Sequence, residues 1–180
     1  MIQVPKFKFV LREDLKDDKQ FVPVRAESKA SGWDVRAAQK DRQPIFLRPF
    51  DKILIPLGFK AFCPEGWWFE LKPRSSTFAK KHLHSLYGTI DETYEGEVQF
   101  ACQYIPPPTY VNGWVIESPP VFTSENTLQI NFGDAIGQII PIERREMLVE
   151  EITTEEYEKL CQARQGERGA GGFGSSDSKK

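Results

Sequence analysis

The sequence predicts an all-β fold, a barrel or jelly roll, with one or two short helices. Three observations carry this. Apolar and aromatic residues fall into short runs bounded by Pro, Gly or Asp. Thirteen prolines are spread along the 180 residues, which disfavours long helices. Turn sequences such as Pro64-Glu65-Gly66 stand between neighbouring runs. Many short strands joined by turns form a barrel or a double sheet.

Lys6–Val10 alternates apolar and polar residues with period two, as a half-buried strand does. Ile45–Leu47, Ile53–Ile55, Phe59–Phe62, Trp67–Leu71, Val98–Ala101, Leu128–Ile130 and Ile136–Ile142 follow, each rich in β-branched or aromatic residues. A short helix is expected to start at Ser75-Ser76 and run to Lys81. A second is expected over Thr153–Arg164, where Thr153 and Glu156 make a capping box and Tyr157, Leu160 and Cys161 share a face. The expected organisation is a β-barrel domain over 1–152, a helical spacer over 153–165, and a mobile arm over 166–180.

A long connection, about 106–126, interrupts the barrel. It is longer than a hairpin turn needs and carries Tyr110, Trp114, Ile116 and Phe122. Two readings stand: a hairpin extension packed on its own body, or a surface for a protein partner.

Bulk composition excludes several classes. The 24 basic residues nearly balance 26 acidic ones, so the basic excess that holds duplex nucleic acid is missing. Cys63, Cys102 and Cys161 are widely spaced with no CxxC, which points to free thiols rather than a disulfide or zinc framework. Neither a secretory h-region nor an apolar run of bilayer length occurs. The expected location is the cytoplasm, or the nucleus in a eukaryote.

The most informative segment is Arg168-Gly169-Ala170-Gly171-Gly172-Phe173-Gly174-Ser175-Ser176. Its glycines let backbone N–H groups approach an anion, Arg168 can fork onto phosphate oxygens, and Ser175 and Ser176 can donate to them. Phe173 offers a face on which a base can stack, worth about 1–3 kcal/mol. The segment also satisfies Gly-x-Gly-x-x-Gly, but the helix and later acidic residue of a dinucleotide fold do not follow. The plain alternative is a disordered Gly/Ser tail.

Three further blocks carry chemistry. Pro73-Arg74-Ser75-Ser76 sets a guanidinium and two hydroxyls at a helix start, a ready anion site, though a plain N-cap reads the same way. Gly88–Glu97 reads as strand, turn and strand. Asp91 in it could deprotonate a water, worth about 10²–10⁴ in rate, or serve as a simple turn aspartate. Ser31–Ala38 presents Asp34 in a strand-like context, suited to a metal's water shell. Gly133–Ile140 enters a strand from a turn with Gln138 as an amide donor. His82 and His84 are read as loop residues without enough neighbouring ligands for a metal.

In this order the blocks resemble the five motifs of the trimeric all-β dUTP pyrophosphatases, the dUTPases. The first is Ser31–Ala38, the second Pro73–Ser76, the third Gly88-x-Ile90-Asp91-x-x-Tyr94-x-Gly96-Glu97, the fourth Gly133–Ile140, and the fifth the glycine-rich arm. The resemblance implies a β-clip barrel and a homotrimer whose sites each draw on three subunits. It implies Mg²⁺-dependent hydrolysis of dUTP to dUMP and pyrophosphate by water attack on the α-phosphorus. Asp91 would hold the water. Arg74, Ser75, Ser76, Gln138, Arg168, Ser175 and Ser176 would hold phosphates. Ser85, Gly88 and Ile90 would lie along the uracil, Tyr94 under the deoxyribose, and Phe173 and Gly174 over the base. Asp34 would support the waters of Mg²⁺.

The chain departs from the family pattern at Ala135 and Gly137 in the fourth motif, at Asp177 in the fifth and at Trp33 in the first. Two rivals remain: a dCTP deaminase of the same fold, and a nucleotide-gated binding module that uses 106–126.

Overall fold

The expected strands form, and what the sequence leaves open is which strand each one pairs with. The computed structural model describes residues 5–106, 110–111, 114–115 and 127–163. The chain divides into two units, Met1–Arg145 and Glu146–Lys180.

Among its described residues the first unit carries thirteen strands. They are β1 (Lys8–Leu11), β2 (Trp33–Arg36), β3 (Ile45–Leu47), β4 (Lys52–Pro56), β5 (Phe59–Phe62), β6 (Trp67–Pro73), β7 (Leu83–Ser85), β8 (Gly88–Ile90), β9 (Gln99–Tyr104), β10 (Tyr110–Val111), β11 (Trp114–Val115), β12 (Leu128–Ile130) and β13 (Ala135–Glu143). A five-residue helix, α1 (Ser75–Ala79), follows β6 directly. All ladders are antiparallel. A four-stranded sheet has the order β2-β13-β6-β8 and a three-stranded sheet the order β4-β9-β7. Three two-stranded ladders, β1-β5, β3-β12 and β10-β11, complete the set.

One apolar core lies between the sheets. Ile55, Leu57, Phe59, Phe69, Leu83, Val98, Phe100, Ile130, Ile136 and Ile139 are buried at its centre. The alternation of β5 and β9, one residue in and one out, is the period-two pattern of a half-buried strand. Fully burying each such side chain stabilises the fold by about 1.5–3 kcal/mol. A smaller cluster of Leu15, Phe21 and Ala38 closes one side, with Phe132 packed 4.8 Å from Phe21.

Several local expectations change. Gly88–Glu97 does not return on itself as a hairpin. After β8 the chain turns at Asp91–Tyr94, where Tyr94 N–H donates to the Asp91 carbonyl at 3.1 Å, and no strand resumes before Gln99. β8 pairs with β6, whose register offers it a free edge. His84 lies in β7, not in a loop, because that segment pairs with β9 from Leu83↔Tyr104 to Ser85↔Cys102. The 106–126 connection does not close a hairpin either: β9 and β12 belong to different sheets. Within it, Tyr110–Val111 and Trp114–Val115 form a two-stranded ladder. The rest of the segment proposed for a partner lies outside the described residues.

In the second unit, α2 (Thr154–Ala163) starts at the expected capping box. Glu156 N–H donates to Thr153 Oγ1 at 3.2 Å, and Thr153 N–H donates to Glu156 Oε2 at 2.9 Å. None of its residues is buried, including Tyr157, Leu160 and Cys161. Among the described residues no helix is long and apolar enough to cross a membrane.

Candidate active site

Three sequence blocks far apart in the chain meet at the Pro73 end of β6. In the four-stranded sheet Gln138 on β13 lies opposite Asp34 on β2 and opposite Lys72 on β6. Arg74 follows β6, and its Nε stands 3.3 Å from Asp34 Oδ1 as an ion pair. Gln138 donates its amide to the Pro73 carbonyl at 3.4 Å. Gly32 leaves room for that amide. A Cβ there would stand 2.9 Å from Ile140 Cγ1, 3.1 Å from the Ile139 carbonyl and 3.2 Å from Gln138 Oε1.

Backbone bonds lock the same corner. Arg74 N–H donates to the Ile136 carbonyl at 3.3 Å, and the buried Thr77 hydroxyl donates to the same oxygen at 2.7 Å. Lys81, just past α1, bonds Asp134 Oδ2 at 2.9 Å, and Arg36 Nη1 donates to the Gly133 carbonyl at 2.8 Å. Lys81, Arg36 and Thr77 carry no motif signature beyond their neighbourhood, and sequence reasoning missed their part. The result is a fixed shelf on which Arg74, Ser75 and Ser76 stand. No described acceptor meets the backbone N–H groups of Ser75 and Ser76. A guanidinium and free N–H donors together suit an anion.

Two of the departures, Gly137 in the fourth block and Trp33 in the first, have visible settings. Gly137 sits at a bulge in the β2–β13 ladder. A Cβ there would meet the Lys72 carbonyl, Phe100 and Val35, each at 3.2 Å, so a larger residue would need these neighbours to give by a few tenths of an ångström. Trp33 is half-buried. Phe7 meets it edge-on at 5.6 Å, and the Arg25 guanidinium lies 4.2 Å from the indole centroid.

Asp91 and Tyr94 lie at the opposite end of β6. Ile90 pairs with Phe69, so Asp91 leaves the sheet beside the Trp67 end. Counted along β6, that is about 17–20 Å from Arg74 at ordinary strand rise. Asp91 is exposed, and no described group pairs with its carboxylate. Tyr94 lies over Gly96, its hydroxyl donating to the Glu97 carbonyl at 3.0 Å.

Gly88, Ile90 and Tyr94 share the wall of a cavity of about 250 Å³ with Leu71, Leu86 and Val98. Ser85 lines a neighbouring, more open cavity of about 580 Å³, and the two share Leu54, Leu86 and Ala101. The Ser85 hydroxyl is buried with no bonding partner among the described residues. Arg168, Phe173, Gly174, Ser175 and Ser176 lie outside the described residues.

The donor set at the shelf bears on Mg²⁺. Asp34 is one carboxylate with an arginine beside it, and Asp134 is held by Lys81. Among the described residues no group of three or more metal-binding side chains gathers. Mg²⁺ keeps most of its waters and takes one or two carboxylates plus substrate phosphates. A single carboxylate suits an ion that brings most of its own ligands, and Asp34 is the shelf's one candidate to face such an ion's waters.

Comparison with known proteins bears on the family and on the fold. No family model matches the chain. A deoxyuridine 5'-triphosphate nucleotidohydrolase of Rhizobium johnstonii is 31% identical over 157 residues, which is 86% of this chain and 84% of that protein. Among solved structures, a variant of the Staphylococcus bacteriophage 80alpha dUTPase with dUpNHpp superposes with a TM-score of 0.71 at 21% identity, covering 96% of this chain and 99% of that one. A mutant dUTPase from phage phi11 of S. aureus, solved for the coordination of a structural Mg(II) ion, gives 0.63 at 22% identity over 82% and 96%. The structural likeness bears on the fold, the sequence likeness on descent: this chain belongs to the deoxyuridine 5'-triphosphate nucleotidohydrolase (dUTPase) family.

Proposed function

We infer that the chain hydrolyses dUTP to dUMP and pyrophosphate, with sites assembled between copies of the chain in a homotrimer. The observation that carries this is the separation of the two half-sites on one sheet. The shelf of Asp34, Arg74, Ser75, Ser76 and Gln138 suits the phosphates, and the Asp91–Tyr94 turn suits the reacting end. A single triphosphate cannot bridge the length of β6 between them. A second copy that brings its Asp91 turn to the first copy's shelf removes the distance, as closed cyclic assembly allows.

In this reading the Asp91 carboxylate accepts a proton from a water as that water's oxygen attacks the α-phosphorus. The bond to the bridging oxygen breaks, and pyrophosphate leaves. Arg74 and the N–H groups of Ser75 and Ser76 offset charge on the phosphates, and Gln138 adds an amide donor. Bound Mg²⁺ would draw electron density from the phosphate oxygens, with Asp34 positioned toward its waters. Tyr94 closes the sugar side of the cavity formed with Gly88 and Ile90, leaving no room for a 2′-hydroxyl. Ser85 would reach the base from β7. Arg168, Ser175 and Ser176 would close over the phosphates, and Phe173 and Gly174 over the base. Truncation after Gly166 is then expected to lower kcat and raise KM while leaving the melting temperature nearly unchanged.

The test is pyrophosphate release from dUTP measured beside UTP, dTTP and dCTP. Selective release from dUTP is expected. Ammonia from dCTP would favour the deaminase reading, and no turnover of any of the four would favour a binding module.

A further inference from the structure

The turn that carries Asp91 and Tyr94 is gripped at both shoulders by the same three-part arrangement. At the far shoulder, Glu97 Oε1 accepts from Gly58 N–H at 3.0 Å and from Arg12 Nη1 at 2.9 Å. Arg12 N–H in turn donates to the Gly58 carbonyl at 2.8 Å. At the near shoulder, Glu92 Oε2 accepts from Gly66 N–H at 3.1 Å and pairs with Arg144 Nη1 at 3.1 Å. Arg144 N–H donates to the Gly66 carbonyl at 2.7 Å. Each clamp is a glutamate of the turn, a glycine of the barrel, and an arginine bound to both.

Both glycines have a φ of +76°, a conformation that other residues adopt at a cost. That backbone presents N–H and carbonyl to the two partners at once. At Gly58 a Cβ would also strike Leu15 and stand 2.8 Å from Ala38. Side-chain exposure is 21% for Glu97 and 16% for Arg12, so water competes weakly at that clamp. Asp14 fixes the Arg12 guanidinium from the far side through bonds of 2.6 and 3.0 Å.

The clamps bear on different reacting groups. Glu97 supplies the carbonyl that accepts from the Tyr94 hydroxyl, so its carboxylate anchor sets where that ring lies. Glu92 adjoins Asp91 in sequence, so its anchor sets where the catalytic carboxylate leaves the sheet. We propose that Glu92 with Arg144 and Gly66, and Glu97 with Arg12 and Gly58, are positioning groups, the first for Asp91 and proton transfer, the second for Tyr94 and sugar discrimination. The kinetic half of this rests on the dUTP reading above.

The experiment uses the full chain with Glu92→Ala, Glu97→Ala and the matching Gln variants, which keep an oxygen acceptor for the glycine N–H. Glu92→Ala is expected to lower kcat for dUTP about tenfold with KM within about twofold. Glu97→Ala is expected to lower the dUTP-to-UTP ratio of kcat/KM about tenfold, with a smaller change in kcat. The Gln variants should recover most of each loss. Amide hydrogen exchange is read on the same proteins. Gly66 N–H should exchange at least about tenfold faster in Glu92→Ala only, and Gly58 N–H in Glu97→Ala only.

An unchanged kcat and an unchanged sugar ratio in folded Ala variants would overturn the proposal. So would losses that merely follow the melting temperature equally in all four variants. If the parent chain released no pyrophosphate from dUTP, the functional reading would fall by itself. The exchange data would then decide the clamps: faster exchange confined to the matching glycine supports them, and unchanged exchange removes them.

Discussion

The two ends of β6 are held by different means. At the Pro73 end, β2, β13 and α1 are tied by bonds that reach across the sheet: Arg74 to Asp34, Thr77 to Ile136, Lys81 to Asp134 and Arg36 to Gly133. The groups suited to phosphate are fixed before any ligand arrives. At the Trp67 end, the Asp91 turn leaves the sheet and is held to the barrel at its shoulders, by Glu92 and Glu97. Asp91 itself stays exposed and unpaired among the described residues. Phosphate binding gains from donors that need no reorganisation. In the proposed reading, a proton acceptor that meets another copy's shelf has to protrude. The contrast predicts that changes at the first end act mainly through KM and changes at the second mainly through kcat and selectivity.

The sharpest break of that contrast is Asp91→Asn. It is expected to lower kcat by at least about 10²-fold while binding a non-hydrolysable dUTP analogue nearly as before. Titration calorimetry beside steady-state kinetics checks it. Arg74→Ala should do the reverse, raising KM about 10–100-fold, since a charge-assisted bond to phosphate is lost and Asp34 is left without its partner. Tyr94→Ala is expected to raise UTP turnover relative to dUTP by about tenfold, because in the proposed reading it removes the ring that crowds the 2′ position. An unchanged ratio would assign sugar reading to another residue.

Thr77→Val tests the shelf through stability alone. Its hydroxyl bond is buried, so the cost is about 1 kcal/mol in denaturant unfolding. The Asp91 turn should be untouched. The smallest effect is alkaline. Burial, and then the negative Glu92, push the Cys63 thiol up to about 11, and burial pushes Cys102 up to about 12, from an ordinary 9.0. The folded state holds these protons more tightly than the unfolded chain. The stability they contribute is complete below 9.0 and is lost as pH rises through 11 and 12. Unfolding midpoints measured across that range should fall, and a thiol reagent should label exposed Cys161 well before Cys63 and Cys102.

Local pattern made much of this legible. Phe59–Phe62 and Leu128–Ile130 form strands over the expected residues, since alternation and flanking turn residues report burial directly. The capping box at Thr153 and Glu156 was equally readable, because both partners lie within one turn. β7 was not. Leu83 alone is buried in it, and pairing with β9 rather than propensity makes the strand. The Gly88–Glu97 segment reads as a hairpin because its turn is real, yet its strand partner is β6, which local sequence does not reveal.

The shelf was half legible. Asp34, Arg74 and Gln138 stand in three separate sequence blocks, and the register of β2, β13 and β6 shows how they come together in one sheet. The clamps were invisible, since Arg12 and Glu97 stand 85 residues apart and no motif marks Arg144. Gly58 and Gly66 were the available signal, two glycines whose backbones require a positive φ.

Subunit complementation tests the composite site most directly. Asp91→Asn and Arg74→Ala chains, each slow alone when dUTP is held well below the parent KM, are unfolded together in equal amounts and refolded into the mixed assemblies of the proposed homotrimer. If each site takes its Asp91 and its Arg74 from different copies, random assembly leaves about a quarter of sites intact, and dUTP hydrolysis returns to about that fraction of the parent rate. Mixtures that stay as slow as the separate variants, with trimers formed, would contradict the account. Both groups would then have to serve one site within a single chain.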